Sequence, residues 1–600
     1  MSVEQTSMNQ LITDNIDVWT STVKNKSASG RGSSKKRELY GVKKLRELIL
    51  ELAVRGKLVP QDPTDEHASV LLERIAEEKA QLVKDKKIKK PKKLEDINDE
   101  DQFIELPQSW AIARLGNLCT KLTDGSHNPA KDFGSGYPMF SSQNVHFRSI
   151  DFTSPSRYVD EDNYLKEHAR TQIEPRDVLL TIVGTLGRAA VVPNDAPEFV
   201  LQRSVAVLQT KIDSDFLTYF LASPTCIKYF EENGKGTAQK GIYLGKLSLM
   251  PVFVPSLEEQ HRIVAKVDEL MKLCDQLEQQ TEASIEAHQL LVRTLLDSLL
   301  LPSATAEGSL TNSADADELM QNWARISEHF DTLFTTEASI DQLKQTILQL
   351  AVMGKLVPQD PNDEPAVKLL ERIAEEKAQL IKEKKIKKQK ALPPIADDEK
   401  PFELPNGWEW CRFGDLCKLV TSGSRGWKAY YANTGATFIR SQDIKYDRVE
   451  FDERAYVQLP RSTEGKRTKV DVGNLLMTIT GANVAKVAVV EEQMEEAYVS
   501  QHVALIKLID SALIDYLHVW LTGSMGGRGL LLQSSYGAKP GLNLQNINEL
   551  LVPLAPILEL NRVVFKVREL LIICEQLKGS LKESQTTQLH LTDAIVEQAV

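Results

Sequence analysis

The chain is written twice, and this constrains its fold more than any other feature. GKLVPQDP at 56–63 recurs at 354–361, and LERIAEEKAQL at 72–82 recurs at 370–380. Glu105-Leu106-Pro107…Trp110 is repeated as Glu403-Leu404-Pro405…Trp408. A repeat of this length specifies two copies of one architectural unit. Segments where the copies agree read as scaffold, and segments where they diverge read as carriers of specificity.

Six hundred residues exceed a single hydrophobic core and imply about three to five modules. Residues 11–23 read as a short amphipathic helix. The stretch KNKSASGRGSSKKRE at 24–38 is Ser-, Gly- and Lys-rich and is expected to be a flexible tether. Over 41–54, Val42, Leu45, Leu48, Ile49 and Leu52 share one helical face, with Gly56 at the C-cap and Pro60 and Pro63 beyond it. The second copy repeats this with Ile340, Leu343, Ile347, Leu350 and Gly354. A second helix is predicted near 67–90 and again near 365–388. Both end in lysine runs, KDKKIKKPKK at 84–93 and KEKKIKKQK at 382–390. Each run reads as a solvated helix end or as a basic arm facing phosphate or a partner.

Between these helices and the next lie two segments, 104–256 and 402–555, in which short apolar runs are bounded by Gly, Pro, Asn and Asp. Val178–Val183 and Ala189–Val192 read as strands around a GTLG turn, with mates at Leu475–Thr480 and Val487–Val490 around GANVAK. Brief helices at Phe216–Ala222 and Leu513–Leu521 make each segment a small α+β globule. A long helix follows each. Its seam reads Ile263, Val267, Leu270, Cys274 and Leu277, resuming at Leu291 and Leu295. In the second copy it reads Val563, Val567, Leu570, Cys574, Leu577 and Leu581, then Leu591 and Ile595. Three-and-four spacing of this kind predicts a coiled-coil seam, polar in its middle at Thr281, Ser284, His288, Ser584 and Gln588. A helix over 257–300 would be about 65 Å long. Folded back, the helices of the two copies can pair around a pseudo-two-fold axis.

Several function classes are excluded by what the sequence lacks. There is no phosphate loop of the GxxxxGK[ST] type, no HExxH zinc site, no GxSxG elbow and no [DN]PP[FYW] methyltransferase signature; Pro393-Pro394 is flanked by Leu392 and Ile395. Six cysteines occur without a CxxC pair, and Cys119/Cys417 and Cys274/Cys574 are repeat mates, which reads as buried small hydrophobes in a reduced, cytoplasmic protein. No apolar run reaches membrane-spanning length, and the N-terminus carries no signal-peptide core. A net charge of −11 is unusual for a lone DNA-binding chain: either the chain binds no nucleic acid, or its positive charge is local and partners supply the rest.

The duplicated layout without catalytic motifs resembles the specificity subunit of type I restriction–modification systems. The resemblance rests on the paired ELP…W motifs, on PMFSSQNV (138–145) with TFIRSQDI (437–444), and on VLLTIVGTLGR (178–188) with LLMTITGANVAK (475–486). LMPVFVPSLEEQHRIVAKVDEL (249–270) and LVPLAPILELNRVVFKVREL (551–570) complete it, with Glu258-Glu259-Gln260 replaced by Leu558-Glu559-Leu560 in the second copy. The chain is similar to the subgroup in which a helical region precedes the first globule. The fold implied is α+β: two globular α/β target recognition domains joined by long antiparallel coiled-coil helices. The implied boundaries are 1–40 for an N-terminal helix and linker, 41–103 for a helical region, and 104–256 for the first recognition domain. A central helical region at 257–401, a second recognition domain at 402–555 and a C-terminal helix at 556–600 follow. The resemblance further implies double-stranded DNA as ligand, two modification subunits carrying S-adenosylmethionine, and restriction subunits using ATP and Mg. It implies no catalysis, cofactor or metal on this chain.

Base-edge readout needs Arg or Lys for guanine, Asn or Gln for adenine, and small polar groups nearby. The candidates are Ser126, His127, Gln143, Asn144, Gly184, Arg188, Gln202, Arg203 and Lys240 in the first globule. In the second they are Ser424, Arg425, Arg440, Gln442, Gly481, Lys486, Gln501, His502 and Lys539. Gly184 and Gly481 enter as turn positions needing positive φ or close backbone approach. Gln143/Gln442 and Gln202/Gln501 recur, which suits backbone contacts; Asn144 against Asp443 and Arg203 against His502 differ, which suits sequence reading. For each the plain alternative is an ordinary loop polar group. The alternative for the whole chain is a coiled-coil adaptor joining two protein-binding globules without DNA contact.

Overall fold

In the computed structural model, residues 8–25, 37–98, 101–102, 104–236, 240–300, 321, 323, 326–423, 426–445, 448–460, 467–535 and 541–600 are described. The chain forms two compact units: Met1–Ser284 with Ser584–Val600, and Ile285–Glu583. Each unit mixes helix and sheet.

In the first unit the helix Tyr40–Val54 buries the predicted face of Val42, Leu45, Leu48, Ile49 and Leu52. It ends where Gly56 adopts φ +68° and Lys57 N–H bonds back to Leu52 O. A side chain is excluded there twice over. The left-handed backbone disfavours it, and a Cβ would stand 2.4 Å from Pro107 Cγ. Gly354 (φ +69°) repeats the arrangement in the second unit, 2.5 Å from Pro405 Cγ and 3.0 Å from Trp408 Cζ2. The two repeated motifs are therefore one structural joint, the glycine turn lying under ELP…W.

Each globule is a four-stranded antiparallel sheet beside a smaller mixed one. The first orders Ala189–Val191, Val178–Thr181, Val205–Thr210 and Cys119–Asp124. The second orders Cys417–Ser422, Val503–Leu508, Leu475–Thr478 and Val487–Val489. The smaller sheets each contain a parallel pair, Val200–Leu201 on Tyr137–Phe140 and Ala497–Val499 on Ala436–Ile439. The first and last strands of each globule close on one another: Ala111–Arg114 with Pro251–Val254, and Glu409–Arg412 with Leu551–Leu554. At each closure a buried arginine ties three segments. Arg114 donates to the carbonyls of Glu95, Asp96 and Leu249 and pairs with Asp101; Arg412 donates to Pro393, Pro394 and Glu549 and pairs with Glu399.

The long helices run Leu257–Leu300 and Ile557–Ala599. The first half of each predicted seam is buried, at Ile263, Val267, Leu270 and Cys274 and at Val563, Val567, Leu570 and Cys574. The second half departs from expectation. Leu291 is 51% exposed and Leu591 46% exposed, while Val292, Leu296, Leu299 and Thr592 are buried instead. The face turns by one residue because a straight helix drifts about 20° per heptad from an exact seven-residue repeat, and because the distal parts have other neighbours. Val292, Leu296 and Leu299 join Ile340, Leu343 and Ile347 in the second unit's core. Thr592 Oγ1 lies 3.0 Å from Thr22 Oγ1 and Asp593 accepts from Tyr40 OH in the first unit.

The N-terminal segment forms two short helices, Met8–Asp14 and Ile16–Ser21, rather than one, with Trp19 fully buried. The flanks of the expected tether pair as a short antiparallel ladder, Lys24↔Glu38 and Asn25↔Arg37; residues 26–36 lie outside the described residues.

The departure at 558–560 has a structural meaning. Gln260 is buried, accepting from Asp213 N–H and donating to Pro255 O, whereas Leu560 simply joins the apolar core. Glu259 accepts from Trp110 Nε1 at 3.0 Å and from Gln61. In the second copy Glu559 and Trp408 are again buried and the indole still acts on the carboxyl, but among the described residues Glu559 Oε1 and Trp408 Nε1 lack a well-formed hydrogen bond like that of Glu259 and Trp110. Burial pushes the Glu559 carboxyl up to about 7, outweighing the lowering effect of the Trp408 indole and nearby Arg562; Asp363 adds to the rise. A carboxyl raised in the folded state favours folding while protonated, and that contribution is lost as pH rises through about 7. Thermal midpoints measured from pH 5 to pH 8 should therefore fall for the wild type. Glu559→Gln, which stays neutral, should flatten part of that fall; parallel curves would remove Glu559 as its source.

Candidate nucleic-acid interface

In the first globule the predicted residues converge on one group of loops. Ser126 bridges Gln202 in parallel, and Arg203 N–H bonds to Ser126 O at 2.9 Å. Ser142 N–H bonds to Ser204 Oγ at 3.0 Å, bringing the Gln143 turn beside the Arg203 turn. Gly184 (φ +87°) donates its N–H to Lys240 O, and among the described residues a Cβ there would meet only Ser142 Oγ, at 4.0 Å. Arg188 reaches the same group, its Nη1 3.5 Å from Val145 O and 3.4 Å from His146 Nδ1, while its buried Nε has no partner among the described residues.

The side chains differ in what they leave free. Gln143, Arg203 and Lys240 are exposed. Gln202 Nε2 is engaged with Ser156 Oγ at 2.8 Å, and His127 Nε2 lies 2.9 Å from Asp124, which also binds Arg170. Ser126 is buried, contributing backbone to the bridge. Asn144 is buried too: its Oδ1 accepts from Ser141 N–H, and its Nδ2 donates to Asp151 O and Ser154 O. This uses the donors and acceptor that adenine readout would need, so Asn144 shapes the turn rather than facing outward.

The second globule repeats the loops with other chemistry. Asp443, the mate of Asn144, is buried and accepts from Arg440 N–H, Nε and Nη2. Those hydrogen bonds raise the Arg440 pKa, and they tie its guanidinium inward. Gln442 is exposed. Gln501 and His502 are exposed and touch at 3.0 Å, and His502 Nδ1 meets Thr480 Oγ1. Gly481 has φ +91° with no described residue within 4 Å of where a Cβ would stand, and Lys486 lies half-exposed at the end of the same turn. Ser424, Arg425 and Lys539 lie outside the described residues.

Sequence reading missed what locks the loops. A Cβ on Gly125 would stand 2.2 Å from Leu201 O, and one on its mate Gly423 would stand 2.0 Å from Val499 O, so only glycine lets the loop cross the strand end. Their shared position in the repeat was the available signal. Also missed was Arg148, which has φ +60°, pairs with Asp268 at 2.6 Å and lies 4.8 Å over the Tyr219 ring.

Among the described residues, no group of three or more His, Cys, Asp or Glu is placed to hold a metal, and no helix is long and apolar enough to cross a membrane. All six cysteines are buried and free of disulfides.

A frame built twice from the same joint, presenting loops with unlike side chains, defines a recognition protein. The comparisons agree. A family described as the type I restriction modification DNA specificity domain matches residues 107–287. The specificity subunit of the Escherichia coli type I restriction enzyme EcoAI is 39% identical, covering 99% of this chain and all of its own. That of the E. coli enzyme EcoEI is also 39% identical, over 98% of this chain and 99% of its own. A solved chain from work on assembly and conformational transition of the type I restriction–modification system aligns at 17% identity over 82% of this chain and 98% of its own, TM-score 0.47. The chain belongs to the specificity subunits of type I restriction enzymes, as the ELP…W and strand–turn motifs implied, and its role is specificity rather than catalysis.

Asn144→Ala should remove one buried and two part-buried hydrogen bonds and cost about 1–3 kcal/mol, lowering the thermal midpoint by several degrees. Gln143→Ala, at an exposed neighbour, should leave the midpoint unchanged. Equal effects from the two would contradict the inward role of Asn144.

Proposed function

We propose that this specificity subunit reads an asymmetric, bipartite DNA site, with residues 104–256 and 402–555 each recognising one half. The observation that carries the reading is the pairing of a common frame with unlike exposed side chains at matched places. Arg203 stands in the first copy and His502 in the second, each on the strand-end turn beside the glycine loop. Two like subdomains with unlike readers suit two different half-sites.

Arg188, Arg203 and Lys240 are the best readers or phosphate binders of the first globule, and Lys486, Gln501 and His502 of the second. Gln143 and Gln442, exposed in both copies, suit backbone contacts common to both halves. Asn144, Asp443 and Arg440 support the turns that present them. The helical regions 41–103, 257–401 and 556–600 set the spacer between half-sites and dock two modification subunits. Half-sites on one face of B-DNA are separated by roughly 34–36 Å or multiples of it. S-adenosylmethionine sits on the modification subunits, which methylate adenine, and ATP with Mg on the restriction subunits, all in the cytoplasm. The matched DNA specificity domain disfavours an adaptor without DNA contact.

Co-expression with the neighbouring modification subunit, followed by methylation mapping of genomic DNA, tests this. One bipartite, asymmetric motif methylated at adenine on both strands is the expected outcome. Exchanging 104–256 for the corresponding segment of another member should change one half-site only, and a change in both halves together would contradict modular reading. Arg203→Ala should relax discrimination at a single position by about 1–3 kcal/mol.

A further inference from the structure

Asp124 ends the strand Cys119–Asp124 and is buried where that strand gives way to the loop of Ser126 and His127. Its two carboxylate oxygens serve different partners. Oδ1 accepts from Arg170 Nη2 at 2.6 Å, and Oδ2 lies 2.9 Å from His127 Nε2. An ionised carboxylate accepts and never donates, so the His127 proton sits on Nε2. The neutral ring then offers Nδ1 as a bare acceptor. Among the described residues Nδ1 has no hydrogen bond, and the His127 side chain is 53% exposed beside the Arg203 turn, whose N–H bonds to Ser126 O.

The other copy supplies an independent observation. Asp124 and Ser422 hold the same place, paired across the sheet with Ala206 and Ala504. Three residues on, Arg425 stands where the first copy has His127. The carboxylate is present where a histidine follows and absent where an arginine does, and Arg467 meets the Ser422 carbonyl instead of a side chain. An imidazole is ambiguous, because either nitrogen can carry its proton, and a neighbour has to decide which. A guanidinium donates from every nitrogen and leaves nothing to decide. A carboxylate with a purely structural duty would have no reason to vanish together with the histidine.

We propose that Asp124 is a positioning residue for base reading. It fixes the His127 tautomer so that Nδ1 accepts from an exocyclic amine, N6 of adenine or N4 of cytosine, at one position of the half-site read by residues 104–256. This rests on the DNA-reading function above and adds a chemical class of base to it. Guanine O6 and N7 and thymine O4 are acceptors, which an unprotonated Nδ1 turns away. Arg170 is the third part of the device. Its hold on Asp124 Oδ1 leaves an amide at this place a single orientation. In Asp124→Asn the side-chain oxygen stays on the guanidinium, and the Nδ2 amine turns to His127 Nε2 and donates there. The ring proton then moves to Nδ1, and His127 becomes a donor.

Methylation of DNA duplexes by the specificity chain in complex with the modification subunit tests this, at pH 8, above the ordinary imidazole range. The wild-type motif is mapped first, and each position of the half-site that follows residues 104–256 is then varied. In Asp124→Asn one position should change. Its preference for adenine or cytosine over guanine or thymine should fall at least about tenfold, with every other position and the other half-site as in the wild type. His127→Ala should lose discrimination at that same position and gain no new preference. Unchanged preference at every position in Asp124→Asn overturns the inference and leaves the functional reading standing. So does a uniform loss of methylation on all sequences, which a merely structural carboxylate would give. A wild-type complex that methylates no bipartite motif overturns the functional reading and this inference with it.

Discussion

The joint between the glycine turn, the ELP…W motif and the start of the long helix is the contact on which the rest depends. Gly56 lets Pro107 and Trp110 settle on the helix end, and Trp110 donates to Glu259 in the first turn of the long helix. Ser256 caps that helix through Glu259 N–H and also donates to Asp65, which pairs with Arg262 at 2.6 Å. A short helix, a globule and a long helix are locked by one cluster of buried and half-buried polar groups. Desolvated groups of this kind stabilise only when all are satisfied, so no member changes alone without cost. The second copy keeps Gly354 against Pro405 and Trp408 and keeps Asp363 paired with Arg562, while Pro556 replaces the capping Ser256 and the Trp408–Glu559 contact is looser.

The copies differ where contacts need not be shared. Arg148 of the first globule pairs with Asp268 on the long helix; in the second copy the helix residue is Arg568, pairing with Asp515 of the globule. The charge has changed sides and the attraction has survived. On the helix itself Leu558, Phe565 and Ile572 are exposed where the first copy has Glu258, Ala265 and Lys272, with Phe565 as much as 73% exposed. Equivalent architecture therefore does not mean equivalent surfaces.

Much of the candidate interface was legible because its chemistry is local. Glycine turns, polar dipeptides at strand ends and their recurrence in both copies marked the right loops. What the residues do there was less legible. Asn144 and Arg203 look equally suited to base edges in sequence, yet Asn144 is turned inward onto Ser141, Asp151 and Ser154 while Arg203 faces outward. Burial of a polar side chain depends on partners distant along the chain, and spacing does not encode them. The buried tie of Arg114 to residues 95–101 and 249 was invisible for the same reason.

By itself the sequence determined the duplication, the helix faces around Val42 and Ile340, the strand pairs around both glycine turns and membership in the specificity-subunit family. The first three follow from periodicity and repetition, which are properties of the chain alone, and the last from motifs shared with known specificity subunits. Only the tertiary structure decided which half of each long helix belongs to which unit and that the buried face steps from Leu291 to Val292. It also decided which polar residues remain free to meet a ligand. Those outcomes depend on which surfaces meet after folding, and apolar burial is set by the neighbour as much as by the residue.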